Sequence, residues 1–274
     1  MARRYETISF LSDYGHADEF VGVVHSVIRS IAPQAVVVDL VHDLAPFDVR
    51  AASLALSRAV QYVAPGIVLA IVDPGVGTAR RAIAVEVGED GEGVLIGPDN
   101  GLLAPAVAMS GGVKRAVELL NTDYQLPAPG PTFAGRDVFA PAAGHLAAGV
   151  SITDLGPEID AHTLTPGLIP LSRVEGVEGD EVGAEVLWVD RYGNCQLNVD
   201  PADLDGWGDT ISLRLPDNEI RVARRVTTFA DLGPGRVGLI VDSYGLLAIV
   251  TEQSSAAEAL GLHAGTAIRL VPAT

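Results

Sequence analysis

The sequence predicts an α/β N-terminal domain, with a mainly parallel sheet flanked by helices, followed by a smaller all-β domain. Three observations lead there. Short apolar runs alternate with amphipathic helical stripes over the first 75 residues. The runs end near residues 11, 41 and 72, about 31 residues apart, which is the length of a βαβ unit. Beyond residue 172 the texture changes to short β-prone runs separated by Gly, Pro, Asn and Asp.

Thr7–Leu11 is a β-prone run that ends in the turn residues Ser12-Asp13-Tyr14-Gly15. Phe20, Val23, Val24, Val27, Ile28 and Ile31 then form one apolar stripe at helical spacing, and Pro33 ends it. Ala35–Val41 is apolar except for Asp39, the pattern of a strand covered on both faces. Val49, Ala52, Leu56, Val60 and Val63 make a second helical stripe, stopped by Pro65-Gly66, and Ile67–Val72 is the third buried strand. Right-handed crossovers place all three strand ends on one edge of a parallel sheet. That edge receives Asp13, then His42 and Asp43, then Asp73, where ligands of open α/β sheets bind.

Ala82–Val87 and Val94–Ile96 read as further strands, and Phe139–Ala148 as a helix with Pro141 near its start. Residues 164–172 carry two prolines and no periodicity, so the boundary falls there, giving domains 1–168 and 169–274. In the second, Glu185–Val189, Ile211–Leu215, Ile220–Val222, Arg236–Val241, Leu246–Val250 and Ala267–Val271 suggest a small sandwich or barrel with one helix near Ala256–Leu260.

Composition narrows the function. Of 274 residues 48% are hydrophobic and 19% charged, enough apolar mass for a sizeable core and too little charge for a disordered chain. Acids outnumber bases 35 to 18, and a net charge of −17 repels phosphate backbones, so no nucleic-acid partner is expected. Cys195 is the only cysteine, which leaves no intramolecular disulfide and no multi-cysteine zinc site. No run of 18 apolar residues occurs, and Met1-Ala2-Arg3-Arg4-Tyr5-Glu6 reads as neither a signal peptide nor an anchor. The expectation is a soluble cytoplasmic protein.

Three segments carry chemistry. In Val72-Asp73-Pro74-Gly75-Val76-Gly77, with Arg80 and Arg81 following, a carboxylate leaves a buried strand into a glycine turn. Asp73 and Arg80 are read either as an ordinary ion pair under a tight hairpin, or as groups that fix and polarise a small nucleophile such as water. In Thr132-Phe133-Ala134-Gly135-Arg136-Asp137, Arg136 and Asp137 read as a structural pair with Asp137 as a cap. Phe133 beside Gly135 offers a flat wall next to open room for a ligand. In Val189-Asp190-Arg191-Tyr192-Gly193-Asn194-Cys195, Asp190 and Asn194 either cap a turn or hold an ammonium group and a purine edge. Asp242-Ser243-Tyr244-Gly245 has the same ambiguity. The six histidines show no metal-ligand spacing, no Gly-x-Ser-x-Gly elbow exists, and Cys195 lacks a base partner.

Taken together these segments, with Ala45-Pro46-Phe47-Asp48-Val49 and Gly97-Pro98-Asp99-Asn100-Gly101, resemble the S-adenosyl-L-methionine hydrolases (SAM hydroxide adenosyltransferases). These are relatives of the fluorinating and chlorinating adenosyl transferases. The resemblance runs almost end to end and implies an N-terminal α/β domain, a C-terminal β-barrel, and a homotrimer with sites at subunit interfaces. It implies attack of water on the ribose C5′ of S-adenosylmethionine, giving adenosine and L-methionine, with no metal or redox cofactor. By the same resemblance Asp13 holds the ribose hydroxyls and Phe47 walls the pocket. Asp190 grips the methionine ammonium, Asn194 reads adenine, and Ser243 and Ser255 help with the carboxylate. Halogenating relatives carry tyrosine at the place of Asp73, and the fluorinating ones a halide-binding serine at the place of Gly135, so this chain favours water.

The family surrounds the water with Asp, Arg and His. Asp73 and Arg80 match the first two, but the family pattern Thr-Phe-His-Gly-Arg-Asp has its histidine where this chain has Ala134. A missing imidazole removes a group whose general-base contribution is typically ~10²–10⁴-fold. The alanine is read either as a natural variation with reduced or altered activity or as a deliberate substitution that slows turnover and traps ligand, and its isolation inside an intact motif favours the second. The alternatives are a SAM- or adenosine-binding protein with little turnover, and a halide-using transferase. A dinucleotide oxidoreductase is disfavoured because no Gly-x-Gly-x-x-Gly follows the first strand.

Overall fold

The computed structural model describes residues 5–88, 93–167, 169–170, 172–175 and 180–273. The chain divides into two compact units, Met1–Leu168 and Ile169–Thr274.

In the first unit, β1 (Thr7–Ser12), β2 (Val36–Val41), β3 (Ile67–Ile71), β4 (Ala82–Val87), β5 (Gly93–Pro98) and β6 (Val113–Glu118) form one sheet in the order β2-β1-β3-β5-β4-β6. The pairs β1–β2, β1–β3 and β3–β5 are parallel, while β4 runs antiparallel to β5 and β6. Successive residues of β3 feed opposite faces, as the pleat requires. Ile67, Leu69 and Ile71 enter one core with Val24 and Ile28 of α1 (Phe20–Ile31), and Val68, Ala70 and Val72 enter another with Ala52 and Leu56 of α2 (Val49–Val60). The helical stripes read from spacing are thus the faces that clamp the sheet. Asp48 caps α2 by accepting the Ala51 N–H at 2.8 Å.

The apolar run of β2 misleads. The expectation of a strand covered on both faces fails, because β2 lies at the sheet edge and Val36 and Val38 are exposed. An apolar run looks the same whether a neighbouring strand lies on one side or two. The hairpin expected around residues 73–80 is also absent, since β3 and β4 both pair with β5, which lies between them. The short α3 (Ala104–Met109) and β6 were not expected. The helix expected from Phe139 begins earlier, as one π-helical stretch, Gly135–Phe139, that runs into α4 (Ala140–Ala147).

The second unit contains β7 (Arg173–Glu175), β8 (Glu181–Val189), β9 (Cys195–Leu197), β10 (Thr210–Arg214), β11 (Ile220–Arg225), β12 (Val237–Val241), β13 (Leu247–Thr251) and β14 (Ala267–Pro272). The pairing β8–β14 joins the two ends, so seven strands close into a barrel and β7 adds to β8. Closure decides between sandwich and barrel, and it leaves the ring without free edges. Val186, Leu213, Ala223, Leu239, Ile249 and Leu270 fill the interior. The helix α5 (Ala256–Leu260) is capped by Ser255 and ends at Gly261 in the left-handed conformation, φ 64°. Among the described residues, no helix is long and apolar enough to cross a membrane.

Candidate functional site

The sheet register assembles the first cluster. β1 and β3 run parallel with Ser12 opposite Ile71, so the chain leaves both strands side by side, through Asp13-Tyr14 on one and Val72-Asp73 on the other. Behind this edge a polar chain runs from the buried Ser12 and His42 to the exposed Asp39. Ser12 Oγ lies 2.7 Å from His42 Nδ1, and His42 Nε2 lies 2.9 Å from Asp39 Oδ1. A carboxylate only accepts, so Nε2 carries the proton, and in the neutral imidazole Nδ1 takes the Ser12 hydroxyl proton. His25 Nε2 reaches the same Asp39 oxygen at 2.8 Å. Burial pushes Asp39 up, but its bonds to His42 and His25 outweigh it, and the net value lies below the ordinary carboxylate range. The turn after β1 is tied to this chain by Gly15 N–H donating to the His42 carbonyl at 2.8 Å.

Asp13 and Phe47 are brought together. The Asp13 carboxylate accepts the Phe47 N–H at 2.8 Å, and Phe47 has φ 69°, a left-handed conformation costly for a bulky residue. Its ring is 72% exposed. Phe47 is thus an exposed aromatic residue held in a strained backbone conformation by a specific carboxylate.

Asp73 and Arg80 form a two-pronged ion pair. Arg80 Nε donates to Asp73 Oδ1 at 3.0 Å and its Nη2 donates to Oδ2, with both side chains largely buried. The guanidinium also lies 5.4 Å from the Phe139 ring centroid. Burial raises the Asp73 pKa above the usual carboxylate value, and the opposing pull of Arg80 and the Gly75 N–H does not cancel it. Asp73 is therefore a carboxylate more basic than usual, and with Arg80 and the Gly75 N–H as donors it keeps lone-pair capacity for one further partner.

The segment around Ala134 packs differently from the sequence expectation. Phe133 meets Phe20 and Tyr14 edge to face, with centroids 4.9 Å and 5.7 Å apart, and Arg136 stacks on its ring at 5.3 Å. The room expected beside Gly135 is taken, because a Cβ built there would collide with the Tyr14 hydroxyl and lie 3.1 Å from both Tyr14 Cζ and Phe133 Cε2. Arg136 and Asp137 pair as expected, Nε to Oδ1 at 2.6 Å, but Asp137 does not cap the helix. Ala134 lines a cavity of about 890 Å³ together with Arg80, Asp137 and Val138. Asp13, Phe47, Tyr14 and Asp73 do not line it. The cavity therefore abuts the carboxylate edge without containing it.

In the barrel the two ambiguous turns have one architecture. Asp190 Oδ1 accepts the N–H groups of Tyr192 and Asn194 at 2.9 Å and 2.8 Å, and Asp242 Oδ1 those of Tyr244 and Leu246 at 2.8 Å and 3.2 Å. Gly193 and Gly245 adopt φ 83° and 84° at matching positions. Gln196 of β9 donates to Asp242 Oδ2 at 2.6 Å, and β9 pairs with β13, so both turns lie at one end of the barrel. Ser255 packs against Gly193, where a Cβ would come within 2.7 Å of the Ser255 Cα. Asp190, Asn194, Ser243 and Ser255 are thus brought to one rim. The capping role of Asp190 is present, with Asn194 Nδ2 donating to its Oδ2 at 2.8 Å. One lone pair of Asp190 Oδ2 and the side-chain oxygen Oδ1 of Asn194 receive no hydrogen bond from the described residues.

Tyr14, Ser12 and Asp39 are absent from the residues singled out by chemistry in the sequence, whereas His42 is placed at the sheet edge there but given no role. Tyr14 stands inside the quoted turn motif, but nothing in a linear pattern shows that its hydroxyl reaches Gly135, 121 positions away. Cys195 is buried, and burial with the nearby Asp190 charge pushes its thiol up to about 12, which disfavours a nucleophilic thiolate. Among the described residues no group of three or more His, Cys, Asp or Glu is arranged to hold a metal ion.

A family model described as the SAM hydroxide adenosyltransferase N-terminal domain matches residues 8–156, and its C-terminal counterpart matches residues 184–269. An (R)-S-adenosyl-L-methionine hydrolase from Salinispora tropica is 44% identical over 263 residues, covering 96% of this chain and 97% of the relative. One from Thermus thermophilus is 42% identical over 273 residues, covering 96% and 99%. A fluorinase from an Actinoplanes species is more distant, 27% identical over 293 residues with 97% of each covered. The crystal structure of an uncharacterized conserved protein from Thermotoga maritima superposes with a TM-score of 0.87 at 31% identity, covering 96% of this chain and 99% of that one.

The buried Asp73–Arg80 pair yields a stability prediction. Arg80→Met keeps an apolar stem near Phe139 and removes the charge, leaving a buried carboxylate alone, at a cost of about 3 kcal/mol near neutral pH. Without Arg80 the folded-state pKa of Asp73 rises further, so the folded variant binds a proton that the unfolded chain releases. Stability of the variant then falls as pH rises through that window. Urea denaturation should show a smaller deficit relative to wild type at about pH 5 than at about pH 8. A deficit that does not change with pH would rule out a charged, stranded Asp73.

Proposed function

The chain belongs to the SAM hydroxide adenosyltransferase family, and we propose that it hydrolyses S-adenosyl-L-methionine by attack of water on the ribose C5′, releasing adenosine and L-methionine. The observation that carries this reading is the buried Asp73–Arg80 pair at the end of β3, in a chain similar over nearly its whole length to proteins named as SAM hydrolases. S-adenosylmethionine enters as substrate, not as a cofactor.

The water oxygen forms the new bond to C5′ while the C5′–sulfur bond breaks, its electron pair passing to sulfur as the sulfonium becomes the methionine thioether. The leaving group is already good, so alignment of water, C5′ and sulfur supplies most of the catalysis, and orientation is worth several kcal/mol. Asp73, made more basic by burial and held by Arg80 at both oxygens, takes the proton the water loses. Arg80 keeps the carboxylate aimed and offsets its charge. In this reading Asp13 holds the ribose hydroxyls and Phe47 walls them. Asp190 receives the methionine ammonium, Asn194 presents its amide to adenine, and Ser243 and Ser255 donate to the carboxylate. Phe133 and Gly135 act through packing next to the reacting groups, which is supported by their ring and close contacts with Tyr14.

Ala134 is the weak point of the catalytic set. The imidazole of the family pattern is missing, and the cavity that Ala134 lines with Arg80 has room for one. This supports a second reading, a SAM- or adenosine-binding chain with slow turnover. The two are separated by incubation with S-adenosylmethionine and chromatography of the products. Adenosine and methionine should accumulate in equal amounts, and Asp73→Asn should lower kcat by about 10²-fold or more while changing substrate affinity little. Ala134→His should raise kcat by about tenfold or more. Near-normal adenosine release by Asp73→Asn defeats the assignment, and absence of adenosine from wild type favours the binding reading.

The same reading includes a homotrimer with each site completed by a neighbouring subunit, in the cytoplasm. The outer edge of β2, which pairs with no further strand among the described residues and has Val36 and Val38 exposed, supports association. The lone cysteine fits a reducing compartment. Light scattering during gel filtration should report three times the chain mass, and a monomer or dimer would exclude the trimer.

A further inference from the structure

Tyr14 is a polar side chain at the carboxylate edge that the mechanism leaves unused. Its ring is fixed edge to face against Phe133, with Phe20 tilted beside it at a centroid distance of 5.5 Å. Its backbone N–H donates to Ser12 Oγ at 3.3 Å, tying it to the Ser12–His42–Asp39 chain. Its hydroxyl has no hydrogen-bond partner among the described residues. That hydroxyl lies where a side chain on residue 135 would begin, so only glycine at 135 lets it take up this position. Tyr14 follows Ser12 by two residues and Asp73 follows Ile71 by two, and Ser12 and Ile71 face each other in the β1–β3 register. Tyr14 and Asp73 therefore emerge together. A half-buried hydroxyl without a protein partner beside that carboxylate is free to bind a water.

We propose that the Tyr14 hydroxyl is a catalytic hydrogen-bond partner of the attacking water, made possible by Gly135 and supplying one of the contacts that the chain lacks at Ala134. This rests on the hydrolase reading. Water has two protons to place and one lone pair to aim. One proton goes to the Asp73 carboxylate, which takes it as the C–O bond forms, and the other is held by the Tyr14 oxygen. The free lone pair then points at C5′. Tyr14 itself neither gains nor loses a proton. Burial, with the Asp13 and Asp73 charges, pushes its phenol well above the ordinary value against the pull of Arg80, so it remains neutral throughout.

Tyr14→Phe tests this cleanly, since the ring contacts with Phe20 and Phe133 stay and one oxygen leaves. The expected result is a loss in kcat of about tenfold or more, with KM within about twofold of wild type and an unchanged melting temperature. Gly135→Ala should displace the hydroxyl and lower kcat in the same way. In the double variant the two losses should not multiply, because both remove one interaction. A Tyr14→Phe enzyme with the wild-type kcat overturns the proposal while the hydrolase reading stands, and so do losses that multiply in full. A wild-type chain that releases no adenosine overturns the hydrolase reading and this one with it.

Discussion

The parallel register of β1 and β3 is the constraint from which the rest of the N-terminal site follows. With Ser12 opposite Ile71, two chain segments must leave the sheet at the same level and in the same direction. Asp13, Tyr14 and Asp73 are then neighbours however far apart they stand in the chain. The register cannot slip. A shift of one residue would turn Ile67, Leu69 and Ile71 out of one core and Val68, Ala70 and Val72 out of the other. Burial on both faces therefore fixes the position of the chemistry.

Placing carboxylates at that edge creates an electrostatic problem, which the protein answers in different ways. At Asp73, burial raises the pKa and Arg80 restrains it, so the group stays basic enough to accept a proton while its charge is balanced. At Asp39, two histidine N–H groups converge on one oxygen and hold the carboxylate below its ordinary range. At Asp190 and Asp242, in the barrel, backbone N–H groups do most of the work and the acid shapes a turn. The same side chain is made more basic, held ionised or turned into a cap according to what surrounds it and what donates to it.

Much of this was legible in advance. The helical stripes of α1 and α2 and the strand β3 follow from periodicity, since amphipathic elements must write their buried faces into the chain. Asp73 and Arg80 stand seven residues apart, close enough for a turn to join them, so their pairing could be foreseen. β7 and β9 could not, because three-residue strands carry no pattern of their own and exist through their neighbours. The exposure of β2 was misread for a related reason, because edge and centre differ only in what lies beside the strand. Tyr14 stands inside a turn motif, but its meaning depends on the distant Gly135.

The amino-acid sequence by itself determined which segments are apolar on which side, where turns interrupt them, and that an acid, a guanidinium and an alanine occupy three positions of a recurring pattern. These are local properties, written in spacing and residue type. The tertiary structure alone decided that the second unit closes through β8–β14, that β2 lies on an edge, and that a phenol fills the space over Gly135. Each of these depends on which distant segments pair or pack. The free energy of such pairing comes from burial shared between elements, and no single stretch of chain contains it.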